Sequence, residues 1–145
     1  QDSDVEQAFQ LLIDFAHNAH GLSAVCETLA LLPANQRLVV AGHVGSHSDQ
    51  EIREMTRVIA EIKPIFFLVP QMEDYLRGRK PGEISKLVLD ELRLLGFAEE
   101  NIGSAENCLE AVKLAVQRVK AGDLLMLIGL DKRDEILAFL EELKN

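Results

Sequence analysis

Apolar runs of strand length alternate with longer amphipathic stretches along the chain. Runs that are nearly continuous in apolar residues are typical of strands covered on both faces, and they are QLLIDFA (10–16), RLVVAGHVG (37–45), PIFFLVP (64–70) and DLLMLIGL (123–130). NIGSA (101–105) predicts a short edge strand. Residues at helical spacing fill the intervals. SDQEIREMTRVIAEI (48–62) begins with Ser48 and Glu51 in the order of a capping box, and Gly96 is expected to follow the end of the helix in EISKLVLDELRLLGF (83–97). The alternation predicts an α/β fold with a mainly parallel sheet and helices on both faces.

Three polar clusters follow predicted strands at the points where those strands end. They are DFAHNAHG after the first strand, GHVGSHSD after the second and EDYLRGRKPG after the third. Open parallel sheets bind ligands beyond the carboxyl ends of their strands, so we expect the three clusters to share one edge. The Asp14 carboxylate can accept two hydrogen bonds, which suits a pair of ribose hydroxyls. His17 and Asn18, at the start of a helix, can contact a base or a phosphate.

The first two clusters also have simpler interpretations. Asn18 can cap the following helix, and His17 can satisfy a carbonyl group. The glycines of GHVGSHSD match neither GxGxxG nor GxxxxGK[ST], and a turn from strand to helix needs glycine in any case. His43 and His47 lie four residues apart in this turn without an evident carboxylate ligand, so no metal site is predicted.

The third cluster places Arg77, Arg79 and Lys80 within four residues of an otherwise acidic chain. Guanidinium groups offer paired donors to a carboxylate or a phosphate, although such a loop can also be only a solvated surface. The chain has no GxSxG nucleophile motif, and neither cysteine has a histidine close to it in sequence. No catalytic residue is therefore predicted.

Composition limits the class of partner. Fifteen Lys and Arg against 24 Asp and Glu give a net charge of −9, without a basic stripe, which argues against nucleic acid and anionic membranes. Cys26 and Cys108 fall on apolar helix faces and are expected to be buried free thiols. No transmembrane or signal segment is evident, so we expect a cytoplasmic protein with one domain over 1–145 and a poorly defined lead-in over 1–9.

Four segments resemble the C-terminal domain of the Mur ligase superfamily, and most closely that of cyanophycin synthetases. DFAHNAHGL (14–22) is similar to the motif D-x-A-H-N-P that opens this domain. VVAGHVGSHSDQEIREM (39–55), EDYLRGRKPGEISKLV (73–88) and ENCLEAVKLAVQRVKAGDLLMLI (106–128) are similar to later segments in the same order. The R-G-R-x-x-G-E element is the most specific of them, because other Mur ligases carry a different loop, of the D-N-P-R type, at that place.

The resemblance implies a Rossmann-like three-layer α/β/α domain with a mainly parallel sheet of about six strands. Its parent enzymes are ATP-dependent ligases that activate a carboxylate as an acyl phosphate, which an amine then attacks. By the resemblance, Asp14 binds the ATP ribose, His17 and Asn18 lie against the nucleotide, and Arg77 and Arg79 face an amino-acid or peptide substrate. Mg²⁺ and the phosphates are handled by a central domain, which is the expected partner.

The chain also departs from the family pattern. Ala19 replaces a proline, and Ser46 and His47 replace an Asp-Arg pair. The chain has no GxxxxGK[ST] lysine, so we expect no ligation by this domain alone. Our hypothesis is that it belongs to a larger multidomain ligase. The alternatives are a stand-alone, non-catalytic interaction domain that kept the fold, and an unrelated small nucleotide-binding domain.

Overall fold

The computed structural model describes residues 9–14 and 19–143. The strands are β1 (Gln10–Asp14), β2 (Arg37–Ala41), β3 (Phe66–Pro70), β4 (Ile102–Ala105) and β5 (Leu124–Ile128). The helices are α1 (Ala19–Ala30), α2 (Asp49–Ala60), α3 (Glu83–Leu94), α4 (Cys108–Arg118) and α5 (Arg133–Leu143), with 3-10 helices at Glu73–Tyr75 and Glu99–Asn101. This order confirms the predicted alternation of strands and helices.

The five strands form one sheet in the order β1-β5-β2-β3-β4, and every neighbouring pair is parallel. Asp14 pairs with Ile128, which pairs with Ala41 on its other side. Because all strands point the same way, β1, β2 and β3 end at the same edge of the sheet, and the loops after β2 and β3 leave from that edge, as predicted. The sequence suggested about six strands, and the described part of the chain contains five.

Helices cover both faces of the sheet, so the domain has the three predicted layers. Alternate residues of each strand point to opposite faces. One face packs against α1, α2 and α3, and its fully buried side chains include Leu22, Val39, Ile52, Ile59, Phe67, Val88, Leu92 and Met126. The other face packs against α4 and α5 through Leu38, Val40, Ala111, Val112, Leu125, Leu127 and Ile136. Cys26 and Cys108 are buried free thiols, one in each core, as predicted.

Two helix ends confirm signals in the sequence. At the start of α2, the Ser48 hydroxyl accepts from the Glu51 N–H at 3.1 Å, and the Glu51 carboxylate accepts from the Ser48 N–H at 2.8 Å. This is the predicted capping box. After α3, Gly96 has φ of 96°, and the Phe97 N–H donates to the Leu92 carbonyl at 3.0 Å. This pattern is a Schellman motif, in which glycine takes the left-handed position.

The strands that lead to the carboxyl edge are shorter than their apolar runs. β2 ends at Ala41 and β5 at Ile128, in each case directly before a glycine. A Cβ at Gly42 would lie 2.5 Å from the Met72 sulfur and 2.8 Å from the Gly129 carbonyl oxygen. Position 42 therefore has no room for a side chain, and the loop after β2 begins there.

Candidate functional site at the carboxyl edge of the sheet

Asp14 ends β1 at the predicted edge, and it is half-buried. Its register neighbours Ile128 and Ala41 belong to the core under α1, so its side chain lies on the face that α1 covers. Burial raises the pKa of the nearby Cys26 thiol to about 11, and the charges of Glu61 and Asp14 add to this shift. The structure therefore places the Asp14 carboxylate at the edge, beside α1.

His17 and Asn18, the other two residues predicted to contact a nucleotide, lie outside the described residues. Their assignment stays a prediction. Helix α1 begins at Ala19, directly after them, so the backbone order of strand, polar segment and helix is the one that the sequence suggested.

The loop after β2 (residues 42–48) packs against the loop after β3 without room for a side chain at Gly45. The Gly45 N–H donates to the Tyr75 carbonyl at 2.7 Å. A Cβ on Gly45 would lie only 1.7 Å from the Leu76 carbonyl oxygen. Glycine is required here because the backbones of the two loops approach closely, so its presence does not by itself indicate a ligand.

The same loop does not fit the phosphates of a nucleotide. Gly42 donates its N–H to the Ile128 carbonyl at 2.9 Å, and the N–H of Ser48 is taken by the Glu51 carboxylate. Hydrogen bonds from Ser48 lower the pKa of the Glu51 carboxyl group, so a negative charge sits at the start of α2. A phosphate-binding turn offers free N–H groups and a positive helix end. The loop therefore lacks the features of a phosphate-binding turn.

The two histidines of this loop have different surroundings. His43 is buried, with 3% of its surface exposed, whereas the His47 ring lies 3.7 Å from the Glu51 carboxylate. Over residues 9–14 and 19–143, no group of three or more His, Cys, Asp or Glu side chains is arranged to hold a metal ion.

The loop after β3 reverses direction at Leu76–Arg79. Arg77 and Gly78 have φ of 52° and 91°, and the Arg79 N–H donates to the Leu76 carbonyl at 3.1 Å. Two left-handed central residues closed by this hydrogen bond make a tight turn that favours glycine at its second centre. Arg77 is exposed at the tip, with its guanidinium carbon 5.2 Å from the centroid of the Tyr75 ring. The turn thus displays one cation at the edge.

Arg79 lies at the other end of this turn, and its guanidinium is engaged within the protein. Nε donates to the Gly45 carbonyl at 3.0 Å, and Nη2 donates to the His47 carbonyl at 2.8 Å. Nη1 contacts the carboxylates of Asp49, at 2.8 Å, and Glu83. Burial lowers the pKa of Arg79, but the hydrogen bonds that it donates to the Asp49 and Glu83 carboxylates, together with their charges, outweigh that effect and raise the pKa overall.

The sequence reasoning missed a fourth loop at this edge, residues 129–132. It follows β5, so it emerges between the ends of β1 and β2. The Gly129 N–H donates to the Asp14 carbonyl at 2.8 Å, and the Lys132 ammonium lies 3.9 Å from the Asp74 carboxylate in the arginine loop. The signal that could have found this loop is the clear strand DLLMLI followed by glycine and the charged run DKRD.

Comparison with known proteins places this domain in a family. Residues 3–130 match the model of the Mur ligase, glutamate ligase domain. The match covers most of the chain, and the chain therefore belongs to this family. The predicted membership in the Mur ligase superfamily is confirmed, and the structure confirms the α/β fold that goes with it.

The curated relatives are ligases much longer than this chain. A UDP-N-acetylmuramoyl-L-alanyl-D-glutamate--2,6-diaminopimelate ligase of Chlorobaculum tepidum is 30% identical over 120 residues, which cover 81% of this chain and 22% of that enzyme. The ligase of the same name from Chlamydia caviae is 29% identical over 120 residues, covering 82% of this chain and 23% of its own length. A cyanophycin synthetase of Crocosphaera subtropica is 27% identical over 122 residues, covering 82% of this chain and 13% of that enzyme. The chain spans less than a quarter of the length of these enzymes.

Solved structures share the fold. A UDP-N-acetylmuramoyl-L-alanyl-D-glutamate--2,6-diaminopimelate ligase superposes with a TM-score of 0.69 at 16% identity, over 97% of this chain and 32% of that one. E. coli FolC in complex with ADP superposes with a TM-score of 0.66 at 18% identity, over 96% of this chain and 30% of that one. Within the part of the chain that the structure describes, no helix combines the length and the apolar content needed to cross a membrane.

Proposed function

We propose that this domain is the C-terminal domain of a larger ATP-dependent amide ligase, in which it contacts the nucleotide and one substrate. The observation that carries the proposal is the shared edge, with a half-buried carboxylate at the end of β1 and an exposed arginine turn after β3. Three strand spacings, about 14 Å along the edge, separate the ends of β1 and β3, from which these two groups follow. Membership in the Mur ligase family supports the same conclusion.

On the nucleotide side, Asp14 accepts hydrogen bonds from the ribose hydroxyls of ATP, and His17 and Asn18 lie against the nucleotide. ATP supplies the phosphoryl group that activates a carboxylate. Because the loop over residues 42–48 has four of its seven N–H groups hydrogen-bonded within the protein and a negative charge beside it, we assign the phosphates and Mg²⁺ to a central domain of the same or a longer chain. Because the phosphates and Mg²⁺ are held by the other domain, we expect the isolated domain to be inactive in ligation.

On the substrate side, the loop with Arg77 and Arg79 recognises an acidic group of the incoming amino acid or peptide. The rest of the protein is acidic, so a cation displayed at this edge stands out as the attractive point for an anion. The loop contributes by positioning the substrate and by stabilising charge that develops during the reaction.

The substrate class that we propose is that of cyanophycin synthetases, and aspartate and arginine are the amino acids to be tested. The R-G-R-x-x-G-E element of the arginine turn supports this choice, and the relative from Crocosphaera subtropica matches over the same region. The second candidate is diaminopimelate addition, and the observation that favours it is that the relatives from Chlorobaculum tepidum and Chlamydia caviae carry that name.

The nucleotide assignment is tested by titrating ATP into the full-length enzyme and its Asp14→Ala variant by calorimetry. Loss of two hydrogen bonds to a charged acceptor should weaken ATP binding by about 10- to 100-fold. Asp90→Asn, an exposed carboxylate on α3 that pairs with Lys86, is the matched control and should leave binding unchanged. Equal ATP affinity for Asp14→Ala and wild type would remove the ribose assignment.

The substrate assignment is tested by ATP-dependent ADP release from the full-length enzyme. An aspartate-rich peptide with aspartate and arginine is offered in one arm, and UDP-N-acetylmuramoyl-L-alanyl-D-glutamate with 2,6-diaminopimelate in the other. Turnover in the first arm alone supports the cyanophycin-type assignment, and turnover in the second alone replaces it. An upstream reading frame without GxxxxGK[ST], together with no turnover in either arm, would favour the stand-alone interaction domain instead.

A further inference from the structure

We infer that Arg79 is a positioning residue that locks the arginine turn to the loop after β2, and that Arg77 is the residue that contacts the substrate. This inference rests on the proposed function, because it assigns different tasks to the two arginines of the same substrate-side loop. It narrows the sequence-based prediction, in which both arginines face the substrate.

The first support is the number of donors that Arg79 already uses. A guanidinium has five N–H groups, and four of those on Arg79 are directed at partners in the protein. Two of these partners are backbone carbonyls, of Gly45 and His47, which do not move away as a side chain can. Only 13% of the Arg79 side chain is exposed. One N–H is left for a ligand.

The second support is the place of these partners in the fold. Gly45 and His47 belong to the loop after β2, Asp49 begins α2, and Glu83 begins α3. A single planar group therefore joins two loops and the first turns of two helices. Its flat fork, with donors on three nitrogens, can reach all of these acceptors at once, whereas a lysine ammonium is a point charge on a flexible stem.

The third support is the geometry of Arg77. Its backbone is left-handed with φ of 52°, and the turn that holds this conformation ends at Arg79. Arg77 is exposed, and its contacts are the face of the Tyr75 ring and the Asp74 carbonyl at 3.3 Å. Fixing Arg79 thus fixes the tip that carries Arg77, and the tip keeps its guanidinium directed outward at the edge.

The two roles are separated by conservative and non-conservative variants in the full-length enzyme. A direct ionic contact keeps part of its effect when lysine replaces arginine, but a fork that bridges two carbonyls does not. With the substrates of the productive arm described above, we expect Arg77→Gln to raise KM for the amino-acid substrate by tenfold or more and Arg77→Lys to restore at least part of it. Arg79→Gln and Arg79→Lys should be impaired to the same degree, in kcat as well as in KM.

Hydrogen exchange of the same proteins gives a readout that does not depend on the reaction. The amides of Gly45 and His47 should exchange at least tenfold faster in Arg79→Gln and Arg79→Lys, while the amides of β2 and β5 stay protected. Arg77→Gln should leave all of them unchanged. Asp49→Asn, which removes one partner without altering Arg79, should produce a smaller increase at the same two amides.

The outcomes are distinguishable from a failure of the proposed function. If Arg79→Lys restores activity and the Gly45 amide exchanges as in wild type, Arg79 is a direct substrate contact and the inference is wrong. If the enzyme turns over neither substrate pair, the proposed function fails, and the exchange result still decides whether Arg79 holds the two loops together. Accelerated exchange throughout the sheet would mean general unfolding and would also overturn a local positioning role.

Discussion

Replacing Gly45 by alanine tests the closest backbone contact at the carboxyl edge. The new Cβ would lie 1.7 Å from the Leu76 carbonyl oxygen, and real Cβ contacts essentially never fall under 3.0 Å. The two loops must therefore separate by about 1.3 Å or more. The hydrogen bond from Gly45 to the Tyr75 carbonyl would then lengthen from 2.7 Å to about 4.0 Å and would be lost.

The same separation strains the contacts that Arg79 makes with the Gly45 and His47 carbonyls, at 3.0 and 2.8 Å. Two or three hydrogen bonds at about 1 kcal/mol each give an expected loss of about 2–3 kcal/mol in the free energy of unfolding. For a chain of this size the melting temperature should fall by roughly 6–12 °C. Urea denaturation followed by far-UV circular dichroism measures the free energy, and differential scanning calorimetry measures the melting temperature.

Gly103→Ala is the matched control, because a Cβ there meets only the end of the Leu68 side chain at 3.2 Å, and a side-chain end can move. We expect Gly103→Ala to change the free energy of unfolding by less than 1 kcal/mol. A Gly45→Ala protein within about 0.5 kcal/mol of wild type would refute the reasoning, since it would show that the two loops separate without loss.

Three further predictions concern stability. Between pH 9 and 11 the Cys26 thiol keeps its proton in the folded chain and loses it in the unfolded chain, because its folded pKa is raised from 9.0 to about 11. The free energy of unfolding should therefore fall with rising pH in this window, by about 1.4 kcal/mol per unit at most, and urea titrations should show a shallower fall for Cys26→Ala. Arg37→Met should lower the free energy of unfolding by about 1–2 kcal/mol, because Nη2 of Arg37 donates to the Leu32 carbonyl at 2.6 Å beyond the end of α1; equal stability of variant and wild type would contradict this. Asn107→Ala should lower it by about 1 kcal/mol in the same assay, because the Asn107 side chain caps α4 by accepting from the Glu110 N–H at 2.8 Å, and Asn107→Ser should restore most of the loss.

The parts of the fold that follow from local pattern were predictable from the sequence. The apolar runs located four of the five described strands, and the segment NIGSA located β4. The order Ser48, Glu51 located the start of α2 because a capping box uses residues three apart. Gly96 marked the end of α3 for an equally local reason, since only glycine enters the left-handed position freely. The strand ends at Ala41 and Ile128 were placed too late, because apolar residues continue into the loops.

The candidate site was predicted only in outline. That three polar clusters share one edge follows from the parallel topology, which periodicity could indicate. The contact between Gly45 and Leu76 could not be found in this way, because it joins two loops whose relative position depends on the packing of α2 and α3. For the same reason the sequence could not distinguish the role of Arg77 from that of Arg79. In the structure Arg77 is exposed, whereas Arg79 bridges two loops.

The order of strands has a consequence for how this protein is made. Among the five strands of the described residues, β1 carries Asp14 and pairs with β5, the last of the five to be synthesised, whereas β2, β3 and β4 are sheet neighbours in the order of their synthesis. During synthesis, β2, β3 and β4, and with them the loop that carries Arg77 and Arg79, can therefore begin to assemble before β1 can pair with β5. A chain truncated before Leu124 would lose β5 and with it the pairing of β1, so the part of the edge that carries Asp14 is completed only after β5 has been synthesised.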